Sequence, residues 1–294
     1  MGANASVLRK SKFGRNGREL RQNTSSDIND KESLKPLGYQ LQATIGKGSY
    51  GKVKRAYSKK HQRFVAVKIV DLNNMKEDCR FIRREKQVTY VANHINIVKC
   101  FEILECGPKI YMVLEHIDNG DLCRYLRKKK FIAEPEAQKL FKGMLSAISY
   151  LHSKNVAHRD IKLENVLLTK DMVPKLSDFG FAKRVRNRRD RSETFCGSKM
   201  YSCFEILAGI PYNIFKADIW SLGVILFTMI TGFFPFSEVR QLLKMREGVS
   251  FIGSKQDISI DVANLIRHIL QTNPHQRYSI QQIHKHKWFR NRLE

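Results

Sequence analysis

The sequence predicts an α+β fold in two lobes: a small antiparallel β-sheet lobe with one helix, and a large, mainly helical lobe. Two patterns predict it. Between Tyr39 and Ile117, apolar residues alternate with polar ones at the period of two that a half-buried strand requires. From about Asp121 onward they recur at helical period. With 294 residues, 42% of them hydrophobic, the chain is long enough to bury a core in each lobe.

Residues 1–38 are polar, basic and rich in Ser and Asn, with little periodicity, and read as a disordered tail. Strands are expected at YQLQATIG (39–46), KVKRAYS (52–58) and RFVAVKIV (63–70), with turn residues between them. CRFIRREKQVTYVA (79–92) has the spacing of a helix. IVKCFEIL (97–104) and KIYMVLEHI (109–117) complete the sheet, divided by a turn at Gly107-Pro108. The small lobe is thus 39–116 and the large lobe 117–289, with a short end at 290–294. The uncharged run Ile219–Ser237 has the length of a membrane span. Gly232 and Pro235 should stop a helix near Thr231, and the piece left is too short to cross a bilayer, so it reads as a core helix.

The chain holds 53 Lys and Arg against 28 Asp and Glu, a net charge of +25. Such a surface attracts anions without choosing among them. The runs RYLRKKK (124–130) and KRVRNRRDR (183–191) read as solvated faces, and no basic-aromatic module points to a specific nucleic acid. Six cysteines with no CxxC pair read as reduced thiols in a cytoplasmic protein.

Four motifs carry the chemistry. IGKGSYGKV places Gly46, Gly48 and Gly51 in a G-x-G-x-x-G spacing between two strands, where bare backbone can approach phosphates. Alone it is as well explained by a hairpin turn. Lys68 closes the strand FVAVK and could meet a nucleotide's phosphates if a carboxylate fixed it. Glu85 is the best placed, and Glu77 lies nearer the helix start. SDFGFAK offers Asp178, and AHRDIKLEN offers Asn165, a sparse oxygen pair of the kind Mg²⁺ takes beside phosphates. AHRDIKLEN also puts His158, Arg159, Asp160, Lys162 and Glu164 between apolar segments, a density of charge that is costly to bury unpaired. Phosphoryl transfer accounts for it: Asp160 orients the attacking hydroxyl, Lys162 neutralises the transferred group, and Asn165 holds metal.

GKGSYGKV, VAVK, HRDIKLEN and DFG stand in the order and spacing of the protein-kinase signature set. The chain resembles the eukaryotic serine/threonine protein kinases over about 39–289, with Lys162 marking the serine/threonine form. TFCGS, GIPYN, DIWSLGVILF and NPHQR resemble the calcium/calmodulin-dependent-kinase-like group. DFGFAKR with SETFCGSKMYS most resembles the testis-specific serine kinases. The resemblance implies the bilobal protein-kinase fold and transfer of the γ-phosphoryl of Mg-ATP to protein Ser or Thr. It implies ATP contacts from Ile45, Gly46, Lys47, Gly48, Ser49, Tyr50, Gly51, Lys52 and Val53 in the flap. Ala66 and Leu167 would close on adenine with Val53, Glu115 and Ile117 would offer backbone bonds behind Leu114, and Asp121 would reach the ribose. Thr194 would take an activating phosphate, from an upstream kinase or by autophosphorylation, and pair it with Arg159. Glu205 and Arg277 would form a buried ion pair. Substrates with Arg before the target residue, read by Glu164 and Asp121, a dependence on the chaperone Hsp90 and a role in sperm development complete what it implies.

One departure stands out: Cys203-Phe204-Glu205 replaces the family's Ala-Pro-Glu. It motivates the alternative of a catalytically weak nucleotide-binding scaffold. MGANAS matches the N-myristoylation pattern at Gly2, and Arg9, Lys10, Lys12, Arg15, Arg18 and Arg21 follow. One acyl chain anchors marginally, so the basic run would supply the second signal for an anionic membrane.

Overall fold

Five strands, Tyr39–Gly48 (β1), Gly51–Ser58 (β2), Arg63–Asp71 (β3), Cys100–Cys106 (β4) and Lys109–Glu115 (β5), pair antiparallel in the order β1-β2-β3-β5-β4. The computed structural model describes residues 25–48, 51–74, 80–236, 249–254 and 256–290. Gly2 and the basic run after it, Ser49, Tyr50 and Glu77 lie outside the described residues. β3 is central and buried on both sides. Its Val65, Val67 and Ile69 face one way, with Tyr111 and Val113 of β5 and Ala56 of β2. Val70 faces the other way, with Ile110 and Met112, against Ile82 of α2 (Arg80–Val91).

The tail expectation fails from Ser25 onward. Ser25–Leu34 forms a helix, α1, whose Asp30 and Leu34 are fully buried on the face of the sheet opposite α2. The two are four residues apart and share one side of the helix. A helix anchored by one carboxylate and one leucine has no apolar stripe, so hydrophobic periodicity could not reveal it.

The large lobe is built on α4 (Glu134–Ser153) and α6 (Ile214–Thr231), with α3 (Leu122–Lys129), α5 (Phe204–Leu207), α7 (Ile260–Ile269) and α8 (Ile280–Lys285) around them. Its core runs from Phe141 and Leu145 of α4 through Trp220 and Phe227 of α6 to Leu265 and Trp288. α6 is long and apolar enough to span a membrane but is 89% buried in the protein. It stops at Thr231 as its sequence demands. Gly232 caps it at φ +82° and donates its N–H to Thr228 O at 2.9 Å. A Cβ there would also lie 2.3 Å from Lys130 O. Two short strand pairs, Val156–Ala157 (β6) with Lys183–Arg184 (β9) and Val166–Leu168 (β7) with Pro174–Leu176 (β8), frame the loops that carry the charges. β8 joins the lobes: Val98 N–H donates to Leu176 O at 2.9 Å and Leu176 N–H to Asn96 O at 2.8 Å.

Candidate active site

Strand alternation turns Lys68 to the α2 side of β3, where α2 offers Glu85. Both are buried and form an ion pair, and Asp178 Oδ1 lies 3.1 Å from the same ammonium. Glu85, preferred to Glu77 from the sequence, is therefore a carboxylate that fixes the lysine. Burial works against the charge on Lys68, but Glu85 and Asp178 outweigh it and hold the ammonium above its usual range. Burial would likewise raise the Asp178 carboxyl, and Lys68 overrides it, leaving the group below the ordinary carboxylate range.

The loop between β6 and β7 carries Asp160. It is held from beneath by Asp218 of α6, which accepts the N–H groups of His158 at 2.9 Å and Arg159 at 2.8 Å and meets His152 Nε2 at 2.8 Å. Those bonds keep Arg159 in the left-handed region at φ +70°, a conformation that costs a non-glycine residue energy unless its surroundings impose it. Asp160 is buried and accepts from Lys162 Nζ at 2.6 Å, Asn165 Nδ2 at 3.1 Å and the Ser198 N–H at 3.2 Å. Of the crowded charges, Asp160 and Lys162 pair with each other, while His158, Arg159 and Glu164 find partners outside the run in Ser177, Tyr212 and Tyr201. Because the Asn165 amide nitrogen serves Asp160, Oδ1 is the side-chain atom that could meet a ligand. Asn165 O accepts the Ser177 N–H and hydroxyl at 2.9 and 3.0 Å, which ties the Asn165 turn to the residue before Asp178. Among the described residues no three His, Cys, Asp or Glu side chains cluster as a full metal cage. One amide oxygen beside one carboxylate suits Mg²⁺, which keeps phosphate and water oxygens for its other positions.

The flap is the end of the β1–β2 hairpin, where Gly46 pairs with Val53, Lys47 with Lys52 and Gly48 with Gly51. Gly51 is required by the sheet itself, since a Cβ there would sit 2.1 Å from Ile69 O. Among the described residues a Cβ at Gly46 would meet only Val53, at an ordinary 3.7 Å. Ile45 is exposed. Lys52 departs from expectation: alternation sends its side chain away from Val53, and its ammonium lies 2.8 Å from Asp30 Oδ2 of α1. Only its backbone remains for a nucleotide. Ala66 lies between Arg55 and Leu114 in the register. Glu115 donates its N–H to Lys99 O at 2.8 Å, and its carboxylate takes Lys175 at 2.8 Å. Ile117 is half-buried just beyond. Asp121 bridges to Leu167 and caps α3 by accepting the Arg124 N–H at 2.7 Å.

Thr194 is exposed, and its carbonyl accepts from Arg159 at 3.3 Å and Tyr212 OH at 2.9 Å. The run 183–191 is not wholly solvated: Arg188 donates to Asn155 Oδ1 at 2.8 Å and to His152 O. Glu205 and Arg277 meet at 2.8 Å, both buried, and Arg277 also donates to Gln271 O and Lys216 O. Phe204 is the first residue of α5, the helical position that proline favours. The helix starts there without proline, and the neighbouring Glu205 keeps its partner.

A small sheet lobe that presents a paired lysine, and a large lobe that presents a buried aspartate with its lysine and asparagine, define a phosphotransferase cleft. The comparisons agree. A protein kinase domain model matches residues 39–289. Mouse testis-specific serine/threonine-protein kinase 3 is 42% identical over 258 residues, 85% of this chain and 96% of that protein. Human testis-specific serine/threonine-protein kinase 1 is 40% identical over 272 residues, 89% of this chain and 74% of that protein. Mouse NUAK family SNF1-like kinase 1 is 36% identical over 252 residues, 85% of this chain and 38% of that protein. The chain belongs to the protein kinase family and is a protein serine/threonine kinase.

Three residues of the site lay outside the sequence reading. Ser198 touches Asp160, and Tyr212 and Arg188 hold the segment around Thr194. Each acts through a hydrogen bond to a residue far along the chain, and no local pattern encodes that.

Proposed function

We propose that this kinase transfers the γ-phosphoryl group of Mg-ATP to Ser or Thr of basic protein segments. The observation that carries the reading is Lys68 in contact with Glu85 and Asp178 at once, which brings groups of both lobes to one point. When bound, Mg-ATP supplies the phosphoryl group and a cation beside its oxygens. Asn165 and Asp178 would hold that cation. Lys68, fixed by Glu85, would orient the phosphates. Asp160 would accept the proton of the substrate hydroxyl, and Lys162, 2.6 Å away, would meet charge building on the transferred oxygens. Glu164 and Asp121, which the family resemblance assigns to reading the substrate, support a preference for Arg near the target, through charged hydrogen bonds. The scaffold alternative finds no support in Phe204, since α5 and the Glu205–Arg277 pair are intact.

The relatives' testis-specific names support a role in sperm development. The MGANAS pattern and basic run support attachment to an anionic membrane, and the family resemblance alone supports an Hsp90 dependence. Asp160→Asn and Lys68→Met should each abolish transfer of radiolabel from ATP to a peptide library, Asp160→Asn with a melting temperature near that of wild type and Lys68→Met with a lower one, because it leaves Glu85 buried without its lysine. Wild-type protein that labels neither itself nor any peptide would refute the reading.

A further inference from the structure

Asp30 lies before residue 39, where the family match begins, and yet it is 0% exposed. A carboxylate is buried at high cost unless it is paired on every side. Here Lys109 Nζ lies at 2.7 Å, Tyr111 OH at 3.1 Å and Lys52 Nζ at 2.8 Å. Burial pushes its carboxyl up, but Lys109 and Lys52 outweigh that and leave it below the usual carboxylate range. The arrangement is built, since Leu34, one turn on, is fully buried among Tyr39, Val67 and Tyr111.

The partners decide what the arrangement does. Lys109 and Tyr111 belong to β5, which runs directly into Glu115. Lys52 belongs to β2, one residue after the last flap glycine and one before Val53. β2 and β5 are not neighbours, because β3 lies between them. Asp30 therefore ties the flap end of one strand to the other across the width of β3. The flap ends a hairpin whose outer strand, β1, is at the edge of the sheet with β2 as its strand neighbour, so lateral pairing limits the twist of the hairpin from one side. A strut from the far face limits that twist.

We propose that Asp30 is a positioning residue for the nucleotide: acting through Lys52, it sets the flap over the phosphates from the opposite face of the sheet. α1 thereby belongs to the nucleotide site without touching it. The inference rests on the ATP-dependent reading above. It assigns Asp30 to nucleotide affinity and not to the transfer step, whose groups Asp160 and Lys162 lie in the other lobe.

The test uses the full chain, with KM for ATP from peptide phosphorylation and Kd for ATP from calorimetry. Asp30→Asn should raise both about tenfold, the scale of one lost contact to a buried charge, with kcat held within about twofold. Lys52→Met should do the same, and the double variant should add nothing further. Lys109→Met removes a partner of the same carboxylate that is not on the flap. It should lower the melting temperature and leave KM and Kd nearly unchanged. Unchanged Kd in Asp30→Asn, additivity in the double variant, or an equal rise in Lys109→Met would each overturn the proposal. If Asp30→Asn does not fold, Lys52→Met against Lys109→Met decides by the same comparison. Wild type that binds ATP but phosphorylates nothing would sink the transferase reading alone, and the Kd series would still judge Asp30.

Discussion

Arg277 is a cation with almost no access to water. It is held by the Glu205 carboxylate, two carbonyls and the face of Trp220, whose ring centre lies 5.0 Å away. Removing it leaves Glu205 buried and alone, a situation that commonly costs about 3–5 kcal/mol. Arg277→Met should therefore shift the urea midpoint strongly downward. Adding Glu205→Gln should recover part of the loss, because the stranded charge disappears with it. A double variant no more stable than Arg277→Met would mean that Arg277 matters for its carbonyl and ring contacts and not for the pair. Residues of this kind were legible from the sequence when their chemistry needs a fixed neighbour. Lys68, Asp160, Asn165 and Asp178 come in motifs because phosphate and metal impose the spacing. Asp30 has no such neighbour: its partners are 22, 79 and 81 residues away, and an acidic residue in a polar stretch looks solvated.

Among the elements, the five strands, α2 and the end of α6 could be read in advance because each has a local cause. Alternation made the strands, a one-sided apolar pattern made α2, and Gly232 stopped α6. α1 had none of these and exists through contacts with the sheet. The segment around Thr194 is a middle case. β9 pairs with β6, Ser192 and Tyr212 exchange backbone bonds at 2.8 and 3.0 Å, and Arg188 reaches back to Asn155, so the segment has anchors that do not involve the Thr194 hydroxyl. What it lacks is an acceptor for the Nε of Arg159, which is buried with no hydrogen-bond partner among the described residues. Phosphate on Thr194 would bring strong acceptor oxygens to the residue whose carbonyl Arg159 already meets. One charged hydrogen bond gained in the competent state amounts to about tenfold in population. Thr194→Ala should thus show roughly tenfold lower kcat/KM than phosphorylated wild type, and match wild type treated with phosphatase. Equal turnover of the alanine variant and the phosphorylated enzyme would assign the ordering to Arg188 and Tyr212 alone.

At the scale of the whole molecule, the two lobes meet at a few defined joints: Leu176 with Asn96 and Val98, Lys175 with Glu115, and Lys68 with Asp178. The whole chain carries an excess of 25 positive charges. Only part of that excess lies in the first 22 residues, so the catalytic domain is itself strongly basic. An anionic nucleotide approaching it is drawn in from a distance at low salt, where the screening length is about 30 Å at 0.01 M, and much less so at about 8 Å in 0.15 M salt. The buried cluster of Lys68, Glu85, Asp160 and Asn165 is screened far less than the surface. Raising ionic strength over this range should therefore raise KM for Mg-ATP several-fold while kcat at saturating ATP changes little. Adenosine, which has no phosphate, isolates the cause, and its affinity should stay flat over the same series. Calorimetric titration of both ligands at each salt concentration measures the difference directly. Parallel changes for adenosine and Mg-ATP would mean that salt acts on the protein's conformation. A flat Mg-ATP affinity would mean that the excess charge lies too far from the cleft to steer its ligand.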